Sequence, residues 1–353
     1  MGMPSMSISF TEAATSVVER GERGIIAMIV KDTVPETNPV VLLPGDDIPK
    51  SLSDATKEQI KLASIGYINK PKKIVTYVLP EEAKDYTEAL KYLKTIKFNY
   101  LVAPTVKTDG QVEAVETFVE TERAEKNRIV AVLPNAKANT EGIVNFTTEK
   151  VYVNDKEYTT EQYCSRIAGI IAGTPMTISC TYAPLEELTD CTRLTKAEMD
   201  AAVDAGELIV WWDGEKVKIA RGVNSLTTLT PEKNSQFQKI KIVDTMDMIA
   251  SDIRMTAEDS YLGKYANSYD NKCLLLSAIG NYFEQLVMDG VLESYSVEID
   301  LDANRKYLRE KGIDVTEMSD EDVKTANTGT NVFLKASISI WDAIEDIELP
   351  ITI

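Results

Sequence analysis

The chain has 353 residues, 44% apolar and 27% charged, the composition of a folded protein too long for one hydrophobic core of ordinary size, so two domains are the default. Its net charge of −18 repels polyanions and argues against a nucleic-acid partner, and no stretch approaches the ~20 apolar residues of a membrane helix. Histidine is absent, which removes Ser-His-Asp and Cys-His catalysis, imidazole metal sites and the usual proton shuttle at neutral pH, and leaves carboxylate, lysine and metal-ion chemistry open.

In chain order, Met6, Ile8 and Phe10 alternate with serines, the period of a half-buried strand. The first ten residues lack the basic and apolar regions of a signal peptide. A buried strand is predicted over residues 24–30. A short apolar run over 40–43 ends at Pro44 and Gly45. Ser53 is placed to cap a helix over 54–65. A β-branched strand covers 73–79, and Pro80, Glu81 and Glu82 open a helix predicted to reach about residue 97. Strands at 100–103 and 128–133 flank a helix at 111–126. Such strand–helix repeats imply a parallel sheet covered by helices. A hairpin is expected over 143–153 and a helix over 160–172, ended by Gly173.

Residues 182–195 show no clear period and contain Pro184, which places a domain boundary there. Beyond it come a helix over 196–205 and a hairpin over 208–220 turning at Asp213 and Gly214. Two long helices follow. Ile242, Met246, Ile249 and Ile253 make the apolar stripe of one, and Leu275, Ile279, Phe283 and Leu286 that of the other, which Gly290 stops. Tyr295, Val297 and Ile299 share one face of a strand. Residues 302–330 are highly charged and read as a surface excursion. Val332 to Ile340 alternate, and Ile347, Leu349, Ile351 and Ile353 alternate again. Pro350 marks an edge position, since it donates no ladder hydrogen bond. The fold class is α/β with a mostly parallel sheet, then an α+β domain with two long helices, and extended strands at both ends. The domains are expected at 1–20, 21–187, 188–331 and 332–353.

Little catalytic chemistry is visible. No GxGxxG or GxxxxGK[ST] occurs, and the loop from Gly45 to Ser51 lacks the second glycine and carries Asp46 and Asp47 where phosphate would sit. Asp244, Asp247 and Asp252 lack calcium-loop spacing and read as a solvated helix face. Trp211 and Trp212 point to opposite faces of a strand, which favours packing over a ligand platform. Cys164, Cys180, Cys191 and Cys273 are too irregularly spaced for zinc or a disulfide framework. Arg305, Lys306, Arg309 and Lys311 form the densest basic cluster, either a solvated helix end or a docking patch. No catalytic residue, cofactor or metal ligand is assigned.

Several segments together resemble one family. The start Gly2-Met3-Pro4-Ser5, the strand ending Ile8-Ser9-Phe10 and the run from Glu22 to Asp32 (ERGIIAMIVKD) resemble the N-terminus of compact contractile tail sheath proteins, of the type found in defective Gram-positive prophages and phage-tail-like (R-type) bacteriocins. The run from Trp212 to Gly214 and then Arg221 to Leu226 (RGVNSL) resembles the family's hairpin, arginine and Asn-Ser/Thr-Leu element. Asp244 on its helix, Tyr261 to Lys264 with Asn267, Val332 to Ala336 and Asp342 to Ile347 also fit.

The resemblance implies a structural protein and not an enzyme. It implies an inner C-terminal domain, an outer α/β domain, and subunits stacked as six-fold rings around a tail tube. N- and C-terminal arms would add strands to neighbouring subunits, here through Met6, Ile8 and Phe10 at one end and Ile347, Leu349, Ile351 and Ile353 at the other. Contraction would drive the tube through a bacterial envelope. The implied partners are the chain itself, the tail tube protein, and baseplate and tail terminator proteins, with no nucleic acid and no membrane insertion. Arg305, Lys306, Arg309 and Lys311 are the candidate tube contact. Assembly in the producing cell's cytoplasm would precede release of a phage tail or bacteriocin particle. The competing expectation is a histidine-free α/β enzyme using carboxylates or a metal.

Overall fold

The computed structural model describes Val18, Gly21 and residues 23–352. The first terminal strand, with Met6, Ile8 and Phe10, and also Ile353, lie outside the described residues. Packing divides the chain into two units. The larger spans residues 21–251 and includes 340–352; the smaller covers 252–339.

The larger unit begins with β1 (Ile25–Lys31), β2 (Val40–Leu42), α1 (Asp54–Ser64), β3 (Lys73–Leu79), α2 (Thr87–Leu93), β4 (Tyr100–Val102), α3 (Val112–Ala124), β5 (Val130–Pro134) and β6 (Ile143–Phe146). It continues through β7 (Lys150–Val153), β8 (Lys156–Thr159), α4 (Thr160–Ala172), β9 (Asp190–Cys191), α5 (Lys196–Asp204), β10 (Glu207–Leu208), β11 (Val210–Trp212) and β12 (Val217–Ile219). Seven strands form one sheet in the order β10-β6-β5-β4-β1-β3-β2, parallel except for β2, which runs antiparallel to β3 at the edge.

β1 reads as an unbroken apolar run because both its faces are covered. Ile26, Met28 and Val30 join the layer holding Ile60 and Ala63 of α1 and Ile167 and Ile171 of α4. Ile25, Ala27 and Ile29 join the opposite layer, with Ala89 and Leu93 of α2 and Val115 and Val119 of α3. Helix α4 lies close against α1: a Cβ on Gly169 would stand 2.3 Å from the Ala63 carbonyl oxygen. Only a glycine permits that approach.

Two local expectations are corrected here. The helix expected from residue 80 to about 97 is only α2, Thr87–Leu93. The preceding residues turn, with Ala83 N–H donating to the Pro80 carbonyl, so that Tyr86 is buried with its hydroxyl 2.5 Å from Asp109. The hairpin expected over 143–153 does not form. β6 joins the large sheet beside β5, and the hairpin is β7–β8, turning at Asn154 and Asp155 with Asn154 at φ +53°. The Asn-Asp pair supplies the left-handed residue that a two-residue turn requires.

α6 (Ile240–Thr256) contains the division between the units and ends in a π-helical turn over Ala257–Tyr261. The smaller unit then holds α7 (Tyr269–Met288), β13 (Leu292–Ile299), α8 (Leu301–Glu310), α9 (Asp320–Thr325) and β14 (Leu334–Ile340). Phe283 of α7 packs on Tyr295 of β13 at 5.5 Å between ring centroids. Residues 302–330 are a folded subdomain edge and not an excursion. Asp300 caps α8, Ser319 and Asp322 form a capping box on α9, and Asn304, Leu308 and Val323 are buried.

Candidate assembly site

The helical stripe of α8 explains where its cations stand. Asn304 and Leu308 face inward, so residues on the remaining turns face out. Arg305 is occupied within its own unit: its guanidinium donates to the Val315 and Met318 carbonyls and pairs with Asp320 at 2.7 Å. Lys306, Arg309 and Lys311 are exposed, Lys311 lying over the Tyr307 ring. The cluster of four is thus one structural arginine and three outward cations.

β13 and β14 form a sheet of two strands, and neither pairs with any other named strand. Glu293, Ser294, Ser296 and Glu298 of β13 and Lys335, Ala336 and Ser337 of β14 are exposed. A two-stranded sheet is marginal in water and here leans on α7. Among the described residues no strand pairs with its outer edges, and an open edge presents backbone donors and acceptors to another strand.

The C-terminal segment is fixed at its root and free beyond it. Lys239 pairs with Asp342, and the Lys241 ammonium donates to the Trp341 carbonyl. The Glu345 carboxylate accepts from Arg221 Nε at 3.0 Å and from the Ser179 and Thr181 hydroxyls, and its side chain is only 8% exposed. Arg221 also reaches Asp346. Residues 347–352 form no strand and no hydrogen bond with another described residue, and Ile347, Leu349 and Ile351 are 81%, 75% and 77% exposed.

The acids on α6 are not a solvated face. Asp244, Asp247 and Asp252 are all buried. Arg123 binds Asp247 through both terminal nitrogens, at 2.7 and 3.2 Å, while Glu141 lies 3.5 Å away and pairs with Lys233. Asp244 accepts from the Tyr100 hydroxyl at 2.8 Å and faces Arg23 at 3.8 Å; burial pushes its carboxyl up to about 6, with Arg23 and Tyr100 opposing. Asp252 accepts from Tyr282 at 2.7 Å. Burial is offset by partners that lie far away in sequence.

No group of three or more potential metal ligands converges among the described residues. Burial pushes the thiols of Cys180 and Cys191 up to about 12 and 11, which suits inert core residues. Trp212 packs against the core under the Arg193 guanidinium, and Trp211 meets the Tyr182 ring. The loop from Gly45 lines a groove of about 490 Å³ with Lys50, Lys57, Lys61 and Lys70. Its glycine stands at a turn whose Asp46 carboxylate accepts from the Leu43 amide, so the acid closes the loop on itself.

Two family models match in succession. Residues 81–225 match the phage tail sheath protein central domain, and residues 232–353 match the phage tail sheath C-terminal domain. The chain belongs to the phage tail sheath family. A tail sheath protein of Clostridium phage phiCD119 is 41% identical over 99% of this chain and 98% of its own length. The sheath tail protein of Desulfitobacterium hafniense has the same fold, with a TM-score of 0.72 at 20% identity over 84% of this chain and 94% of its own. So has the contracted helical sheath of the anti-feeding prophage, at 0.73 and 14% identity over 100% of this chain and 99% of that one. These relatives are structural proteins and not enzymes, which sets the carboxylate- or metal-enzyme reading aside.

Within the sheath family assignment, two of the resembling segments meet in space. Arg221 of the RGVNSL run touches Glu345 and Asp346 of the run ending at Ile347. Sequence reasoning did not find this contact. The available signal was charge complementarity: Arg221, Lys239 and Lys241 on one side and Asp342, Glu345 and Asp346 on the other.

Proposed function

We propose that this chain is the repeating subunit of a contractile sheath, whose copies stack as six-fold rings around a tail tube and whose contraction drives the tube through a bacterial envelope. The contracted sheaths of the anti-feeding prophage and of an extracellular contractile injection system share its fold and support the reading. One observation carries it: an apolar alternation at Ile347, Leu349 and Ile351 that lies exposed among the described residues, in a protein whose β13–β14 sheet has no third strand among them. Each needs what the other offers, and strand addition satisfies both. The C-terminal arm, completed by Ile353, extends the β13–β14 sheet of a neighbouring copy, and Met6, Ile8 and Phe10 form a second donor. Lys306, Arg309 and Lys311 face the tube, with Arg305 bracing their helix. Baseplate and tail terminator proteins cover the ends of the stack. The particle, a phage tail or an R-type bacteriocin, assembles in the cytoplasm before release.

Removal of residues 347–353 tests the reading. Far-UV circular dichroism should show a folded protein, since Ile347, Leu349 and Ile351 stand outside the core, and sedimentation should show loss of sheaths. Sheaths that still assemble, or a truncated monomer that unfolds, would contradict it.

A further inference from the structure

We infer that Arg221 and Lys239 are positioning residues that clamp residues 341–346 to the body of their own subunit, so that the donated strand begins at Ile347 with a fixed origin. The inference rests on the strand-donation reading. Its basis is the abrupt change along the segment. Up to Asp346 the chain is tied by Lys239–Asp342, Lys241–Trp341, Arg221–Glu345 and Arg221–Asp346. From Ile347 on, no hydrogen bond or ion pair to another described residue remains. The contacts also differ in kind. Glu345 is sheltered and takes three donors, from Arg221, Ser179 and Thr181. Charge-assisted bonds to a sheltered carboxylate are the strong ones, and losing one donor leaves a poorly solvated charge. Asp346 is 85% exposed and adds little. Burial pushes the Lys241 ammonium down, with Asp342 opposing and Lys239 adding to the shift, so its bond to a neutral carbonyl suits its site.

The clamp sets the reach of the arm. An extended chain spans at most roughly 3.3–3.6 Å per residue. Residues 347–352 therefore sweep a radius of about 20 Å from a fixed root, whereas residues 341–352, if released, would sweep about 40 Å. Doubling a flexible tether lowers the effective concentration of its tip at any one acceptor by about threefold. A clamped root both favours the adjacent sheet edge and denies the arm to more distant copies.

A glutamate-specific protease reads the clamp in the unassembled protein, because Glu345 sits in it and the exposed Glu348 sits just beyond it. In the native protein, cleavage after Glu348 should precede cleavage after Glu345. Arg221→Gln should raise cleavage after Glu345 by about tenfold or more, the equivalent of one lost charge-assisted hydrogen bond, and leave cleavage after Glu348 unchanged. Lys239→Glu should act in the same direction, and adding Asp342→Lys should restore the native ratio, a rescue that a merely local packing role would not give. Sheath assembly by Arg221→Gln should slow by about threefold or more. An unchanged cleavage ratio in Arg221→Gln, or no rescue by the charge swap, overturns the clamp. If instead the clamp variants behave as expected and removing residues 347–353 leaves assembly intact, strand donation is what fails.

Discussion

At the residue scale, the acids of α6 show how burial changes the meaning of a charge. Asp244, Asp247 and Asp252 look like a wet helix face because acids on a helix are ordinarily solvated. Their partners, Arg23, Tyr100, Arg123 and Tyr282, come from other elements, so no local pattern could disclose them. The consequence is measurable at Asp244. Its folded carboxyl is pushed up to about 6 from an ordinary 3.8. Between those values the folded protein binds more protons than the unfolded chain, so this group's contribution favours folding at low pH and is lost as pH rises through 6. Asp244→Asn cannot titrate. The stability difference between pH 4.5 and 7 in urea melts should therefore shift by roughly 2 kcal/mol relative to the native protein, in the direction of better relative stability at pH 7. Carboxylates such as Glu141, whose pairing with Lys233 and Arg123 outweighs burial and lowers its value, are common to both proteins and cancel. Parallel pH profiles would contradict the account of this site.

At the scale of elements, what was legible depended on whether the signal was local. β3 was read at its observed bounds because β-branched residues and flanking turns are contiguous in sequence. α4 matches the helix expected over 160–172, with Gly173 at its end. α2 was overextended because the burial of Tyr86 depends on Asp109 and Gln111, more than twenty residues away. α8 reads from sequence only as a solvated helix end within a charged excursion, because its charge conceals a two-residue inner face, Asn304 and Leu308. Helix contacts offer a paired test. Gly169→Ala forces a methyl against the Ala63 carbonyl, with backbone on both sides and no room to yield, so it should destabilise by about 1–3 kcal/mol or more. Gly280→Ala, in α7, meets only Val297 Cγ1 at 3.7 Å and gains helix propensity, so it should be neutral or stabilising by up to about 1 kcal/mol. Thermal melts of the two variants in opposite order would contradict the packing.

At the scale of the whole molecule, the family is legible in the sequence, because short segments spread along the chain agree with one another. The assembly surfaces were legible only in part. Alternation marks the C-terminal segment as a candidate strand, and Ile347, Leu349 and Ile351 stand exposed among the described residues. The basic cluster was visible as composition, but the assignment of Arg305 to Asp320 and two carbonyls required the turn between α8 and α9. The clamp at Arg221 was invisible, since the contacting residues lie more than 120 positions apart.

The central claim is that copies of this chain are joined by donated strands. The most direct measurement is a cryo-electron microscopy map of the native particle at a resolution that traces side chains. The account predicts residues 347–352 as a strand hydrogen-bonded to the β13–β14 sheet of a neighbouring copy, departing from a root still held by Arg221, with Lys306, Arg309 and Lys311 turned toward the tube. A map in which this segment folds back onto its own subunit, or in which both edges of the β13–β14 sheet remain unpaired in the assembled sheath, would contradict it.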